Sequence, residues 1–201
     1  MTESDPKAKI LKLASSAGVI STRDVRDLGV HPEYIRRLCA QGELVREGYG
    51  LYRLADGDLT EHHDLAVVAK AVPRGVVCLI SALQFHVIGT QLAHMVWLAI
   101  DRRDARPRVE WPPLELVRFS GKALTEGVER RMLEGVPVRI YSPAKTVADC
   151  FKYRNKTGLD VAIEALRDVL HGRRATVDEL WHYAGVCRVR NVIRPYMEAM
   201  L

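Results

Sequence analysis

At 201 residues, 48% hydrophobic and 27% charged, the chain has the make-up of an ordinary globular protein, with length for one large domain or two small ones. Its longest apolar run, Val76 to Leu83, is far below the ~20 residues of a membrane span, so a cytoplasmic protein with no membrane partner is expected, and four isolated cysteines without a CxxC pair exclude a zinc ribbon or a disulfide framework. The net charge of +5 suits a polyanionic partner, yet residues 1–60 hold nine bases and nine acids, so the whole excess lies downstream.

A first helix is predicted from about Lys7 to Ala17, where Ile10, Leu11, Leu13, Ala14 and Ala17 form an apolar stripe and Gly18 ends it. Ser21 with Asp24 three residues on has the form of a capping box, opening a second helix that buries Val25 and Leu28 and stops at Gly29. A third helix, entered through His31 and with Pro32 as its first residue, sets Ile35, Leu38 and Cys39 on one side and Glu33, Arg36, Arg37 and Ala40 on the other. Leu44–Arg46 and Leu51–Leu54 then read as two strands joined by Glu47, Gly48, Tyr49 and Gly50. Helix, turn, helix and hairpin in this order make a winged helix-turn-helix over residues 1–60.

In such a module the second helix of the pair enters the major groove, where an arginine donates two hydrogen bonds to a guanine, and the wing lies along the backbone or minor groove. The candidate DNA-binding residues are Thr22, Arg23, His31, Glu33, Tyr34, Arg36 and Arg37 on the helices, and Arg46, Tyr49 and Arg53 on the wing. Isolated surface arginines are ordinarily just solvated; here the surrounding element order favours DNA.

Asp56 to Thr60 is a polar break and the expected domain boundary, leaving 61–201 as a larger mixed α+β domain. His62 to Val72 reads as a helix whose adjacent histidines do not share a face, so no metal site is expected. Strand or helix follows at Val76–Ile80, helix at Ser81–Val87 and strand at Met95–Ile100. Next comes a surface loop, Asp101 to Pro113, with Arg102, Arg103, Arg106 and Arg108. Glu115–Ser120 is a strand, and Val128–Leu133 with Val136–Tyr141 a hairpin about Glu134 and Gly135. Ser142 and Pro143 open a helix burying Val147, Ala148, Cys150 and Phe151 and leaving Lys145, Lys152, Arg154 and Lys156 polar. A further helix spans Asp160–Leu170, and Thr176 with Glu179 forms a second capping box.

The run YSPAKTVADCFKYRNKTGLDVAIEALRDVL, Tyr141 to Leu170, closely resembles the C-terminal signature of AbiEi-type antitoxins of type IV toxin-antitoxin systems, and GELVREGYGLYRL resembles the wing of the same family. The resemblance implies a bacterial antitoxin and autorepressor that binds inverted repeats in double-stranded operator DNA and counters a co-encoded nucleotidyltransferase toxin, with or without a stable complex. Lys145, Lys152, Arg154 and Lys156 are the corresponding candidate antitoxin surface.

No catalytic residue and no cofactor are expected. A nuclease site would need a Lys two residues after Glu110, where Pro112 stands, and a phosphate loop ending at Gly121–Lys122 would need glycine at 116, which is Leu116. A third reading keeps the DNA binding and makes Val76 to Ile100 the lining of a small-molecule sensor pocket, although core packing explains the same residues.

Overall fold

A computed structural model describes residues 5–201 as two compact units. The first takes the described chain up to Pro73 together with Arg106–Pro113 and Arg131–Val138, and the second takes Arg74–Ala105, Leu114–Arg130 and Arg139–Leu201.

In the first unit, α1 (Pro6–Ala17) is capped by Asp5, whose side chain accepts from the Lys7 amide, and ends at Gly18 with φ 61°. Strand β1 (Ile20–Ser21) leads into α2 (Thr22–Asp27), and α3 (Glu33–Ala40) follows. The wing is β2 (Leu44–Gly48) and β3 (Leu51–Leu54), and α4 (His63–Ala71) closes this stretch. The short β1 has no alternating pattern of its own; it adds to the wing as a third antiparallel strand in the order β1-β3-β2, with Ile20 opposite Tyr52. One apolar cluster joins Ile10, Ala14, Ile20, Val25, Val30, Ile35, Leu38 and Leu44. A second joins Val19 and Leu51 to Ala66, Val67 and Val136. Leu28, expected inside, is 38% exposed because α2 ends before it, and Pro32 precedes α3 as its N-cap.

The unit therefore runs past the expected boundary at residue 60. Its far contact is the hairpin turn at Glu134–Gly135, which reaches the end of α1 through paired glycines. A Cβ on Gly18 would stand 1.7 Å from the Glu134 carbonyl oxygen, and one on Gly135 would stand 2.6 Å from that of Ser16. Both glycines also have positive φ, where a Cβ is disfavoured.

The second unit holds β4 (Val76–Val77), α5 (Leu79–Phe85), β5 (Val96–Asp101), β6 (Leu114–Phe119) and α6 (Lys122–Thr125). The hairpin β7 (Val128–Leu133) and β8 (Val136–Tyr141) comes next, its far end counted with the first unit. Five helices complete the chain: α7 (Pro143–Lys152), α8 (Arg154–Thr157), α9 (Leu159–His171), α10 (Val177–Val186) and α11 (Arg190–Met200). Strand order is β6-β5-β4-β8-β7, with β5 parallel to β6, β4 antiparallel to β5 and β4 parallel to β8. The fold is α+β. Val76, Cys78, Leu79, Ile80, Leu83, Ile88 and Ala99 all belong to the main core with α7 and α9, so the stretch weighed as a sensor lining is packing material. No described helix is long and apolar enough to cross a membrane.

Lys145 corrects the expected antitoxin surface. Both it and Asp149 are 0% exposed, and its ammonium donates to the two Asp149 oxygens at 2.7 and 2.6 Å. The same nitrogen lies 4.0 Å from the Tyr141 ring centroid and 4.8 Å from that of Phe119, and the Cys187 thiol donates to Asp149 at 3.1 Å. In sequence a lysine followed four residues later by an aspartate on a helix looks like a solvated pair. Here the pair lies on the inward face with Ala148 and Phe151, satisfied by rings and a thiol. Burial, reinforced by the Asp149 charge, raises the Cys150 and Cys187 thiols above their ordinary range.

Candidate nucleic-acid interface

The helical pair is fixed from its caps. The Ser21 side chain accepts from the Asp24 amide at 3.2 Å, while the Ser21 amide donates to Asp24 Oδ2 at 2.6 Å, closing both halves of the capping box. Lys70 of α4 places its ammonium 2.7 Å from the same oxygen. Burial alone would raise the Asp24 pKa, but hydrogen bonds from Lys70 and Ser21 outweigh it and hold the carboxyl below its ordinary value. Gly29, at φ 73°, then turns the chain, and the Val30 amide donates back to Val25 at 3.2 Å. This seats Val30 in the core and aims α3.

On α3, buried Ile35 and Leu38 face the core while Arg36 and Arg37 are exposed. Arg36 lies 3.5 Å from Glu33, and the Arg37 guanidinium sits 5.4 Å from the Tyr34 ring centroid. These two contacts orient both arginines along the outer face, and exposed pairs of this kind yield readily to a stronger acceptor. His31 serves the start of the helix: its Nδ1 accepts from the Glu33 amide at 3.2 Å. Arg23 is exposed on α2 and lies 3.9 Å from Asp27.

The wing separates the three expected contacts. Tyr49 stands out at 79% exposure at its tip. Arg46 is exposed, its Nε folded onto the Gly48 carbonyl at 3.0 Å beside a bulge in the β2–β3 register. Arg53 points inward: it is ion-paired to Glu47, donates to the Leu54 carbonyl at 2.8 Å, and keeps 17% of its side chain exposed. Thr22 is likewise committed, its amide donating to the Gly50 carbonyl at 2.9 Å and so tying the wing loop to the start of α2. The exposed set is thus Arg23, Arg36, Arg37, Arg46 and Tyr49, with Glu33, Tyr34 and His31 shaping the helix that carries two of them.

Sequence reasoning missed what braces this module. His63 of α4 donates through Nδ1 to Glu134 at 2.7 Å, and its Nε2 lies 3.3 Å from Glu47, the partner of Arg53. The Thr60 amide and hydroxyl donate to Glu134 at 2.7 and 2.8 Å. Burial would raise the Glu134 pKa, but these donors, His63 first, bring it below its ordinary value. Only a sequence separation of 71 residues between His63 and Glu134 hid the contact. Among the described residues no group of three or more His, Cys, Asp or Glu is placed to hold a metal ion.

Residues 8–55, from within α1 to the end of the wing, match the family model described as transcriptional regulator, AbiEi antitoxin. Over these residues the winged-helix module is similar to that antitoxin family. That match carries a regulator and antitoxin role in general terms. The crystal structure of the RV2827C protein from Mycobacterium tuberculosis resembles the chain with a TM-score of 0.60 at 13% identity, covering 90% of this chain and 71% of that one. At such identity it speaks for the fold, and it does so well beyond the AbiEi module. No curated protein sequence matches the chain.

Proposed function

We propose that the protein is a type IV antitoxin and transcriptional autorepressor, whose winged helix binds inverted repeats in its own operator and whose C-terminal domain counters a co-encoded nucleotidyltransferase toxin. The observation that carries the DNA half is the paired exposure of Arg36 and Arg37 on the outer face of a capped α3, with Arg46 and Tyr49 on the adjoining wing. Two guanidinium forks on one exposed helical face match the bidentate acceptors of guanine in the major groove. Since residues 1–60 carry no net charge, affinity rests on these few placed cations.

The toxin half is supported by the AbiEi match and by the Tyr141–Leu170 signature. Of the four cations expected on that surface, Lys152 is exposed, Arg154 donates to the Phe151 carbonyl at 3.0 Å, and Lys156 lies 2.7 Å from Glu115. Lys145 is a core residue and leaves the set.

The test is titration of the full-length protein into labelled DNA from upstream of its own gene. Arg36→Ala and Arg37→Ala are each expected to weaken binding by about 1 to 3 kcal/mol and to relax preference at one base position. Unchanged affinity in both variants, with the melting temperature intact, would remove α3 as the reading element. Absence of binding by the wild-type protein would remove the autorepressor function.

A further inference from the structure

In the second unit, away from the winged helix in sequence, the cations of the downstream excess gather in a concavity. A cleft of about 750 Å³ is lined by Arg102, Arg118, Lys122, Lys152 and Arg188 with no carboxylate in its wall. A second hollow of about 580 Å³ shares Gly185 and Arg188 with it and continues to Arg190, again without an acid. Such a run of one sign of charge in a concave surface focuses field and concentrates polyanions.

Several features separate this from an ordinary solvated surface. Arg102, Lys152 and Arg188 have no ion-pair partner among the described residues, and Lys122 has only Glu126 at 3.7 Å. Arg118 is used to hold the loop: its guanidinium donates to the carbonyls of Arg102 and Asp104 at 3.0 and 2.8 Å, fixing the segment that presents Arg102. Arg188 occupies the left-handed position after α10, at φ 59°, where glycine or asparagine is the favoured residue. Tyr153 forms an aromatic wall, edge-on to Phe119 at 5.4 Å and donating from its hydroxyl to the Arg118 carbonyl at 3.3 Å.

We infer that this groove binds single-stranded nucleic acid, its cations following successive phosphates and Tyr153 offering a surface to a base. A basic track beside an aromatic ring is how proteins hold single strands without reading sequence. The extension past Arg188 to Arg190 continues the line of cations beyond the first cleft, as successive phosphates of one strand would require.

Fluorescence anisotropy with the full-length protein and a labelled mixed-sequence RNA of about 12 nucleotides tests it at low salt. Binding is expected, with the same-sequence non-operator duplex DNA binding at least tenfold more weakly. The pair Arg102→Gln and Lys152→Gln, both exposed and unpaired and so compatible with an unchanged melting temperature, is expected to weaken RNA binding at least tenfold. It should also lower the slope of log K against log salt by about 1.4, at ~0.7 for each phosphate no longer neutralised. Arg36→Ala with Arg37→Ala is expected to leave RNA binding unchanged while impairing operator binding, so the two sites fail independently. No RNA binding by the wild type, equal binding by the glutamine pair, or preference for the duplex would each overturn the assignment.

Discussion

Lys145 shows how far a residue's environment can depart from its local sequence. Its place four residues before Asp149 is what a surface helix pair would have, and its burial is decided by Tyr141, Phe119 and Cys187, contributed by other elements. Removing one partner of a buried pair leaves the other charge without compensation, typically at ~3 to 5 kcal/mol, whereas replacing both with apolar residues is often near neutral. Lys145→Met is therefore expected to lower the unfolding free energy by about 3 kcal/mol or more, and Lys145→Met with Asp149→Leu to recover much of it. Chemical denaturation of the three proteins checks this; a single variant as stable as wild type would mean that the pair does not stabilise the core. Any loss of function in Lys145→Met would then reflect a damaged fold and not a missing surface charge. Arg53 behaves in the same way on the wing, where its strand position looked outward but its guanidinium serves Glu47 and the Leu54 carbonyl.

At the scale of the element, the start of α2 was legible almost atom by atom because a capping box is local: Ser21 and Asp24 are three residues apart and need nothing else to meet. What the sequence did not reveal is that Lys70 completes it from α4. The lowered pKa of Asp24 makes that cap dependent on pH. A carboxyl whose folded pKa lies below its unfolded value contributes stability above the unfolded pKa and loses it as pH falls through the folded one. Asp24→Asn should therefore be less stable than wild type at pH 7, and the gap in melting temperature should narrow below about pH 4. A gap of the same size at pH 7 and pH 3 would show that the charge on Asp24 is not what stabilises the cap. Glu134 acts with the same sign, so acid should loosen its grip on Thr60 and His63 too.

For the whole molecule, the first unit is discontinuous in sequence, and that bears on how the protein can be divided. A fragment of residues 1–60 contains every candidate DNA contact. It lacks Ala66, Val67 and Val136, which cover Val19 and Leu51, and it lacks His63, Lys70 and Glu134, which hold the wing, α2 and Thr60. A chain of that length buries only ~60% of its unfolded surface even when complete. The fragment is expected to melt well below the full-length protein and to bind operator weakly. Circular dichroism melts and DNA titration check this, and a fragment with full-length affinity and stability would show the added segments to be dispensable.

The sequence by itself determined the helices of the N-terminal module, the wing, both capping boxes and the Glu134–Gly135 hairpin, because each is set by residues within a few positions of one another. It also determined which face of α3 is polar, since helical periodicity needs no partner. Tertiary structure alone decided that Lys145 is buried, that Arg53 and Thr22 are engaged within the module, that the hairpin turn meets the end of α1, and that Arg102, Lys152 and Arg188 share one cleft. Those outcomes depend on side chains brought together from distant parts of the chain, and no local period or spacing records such a meeting.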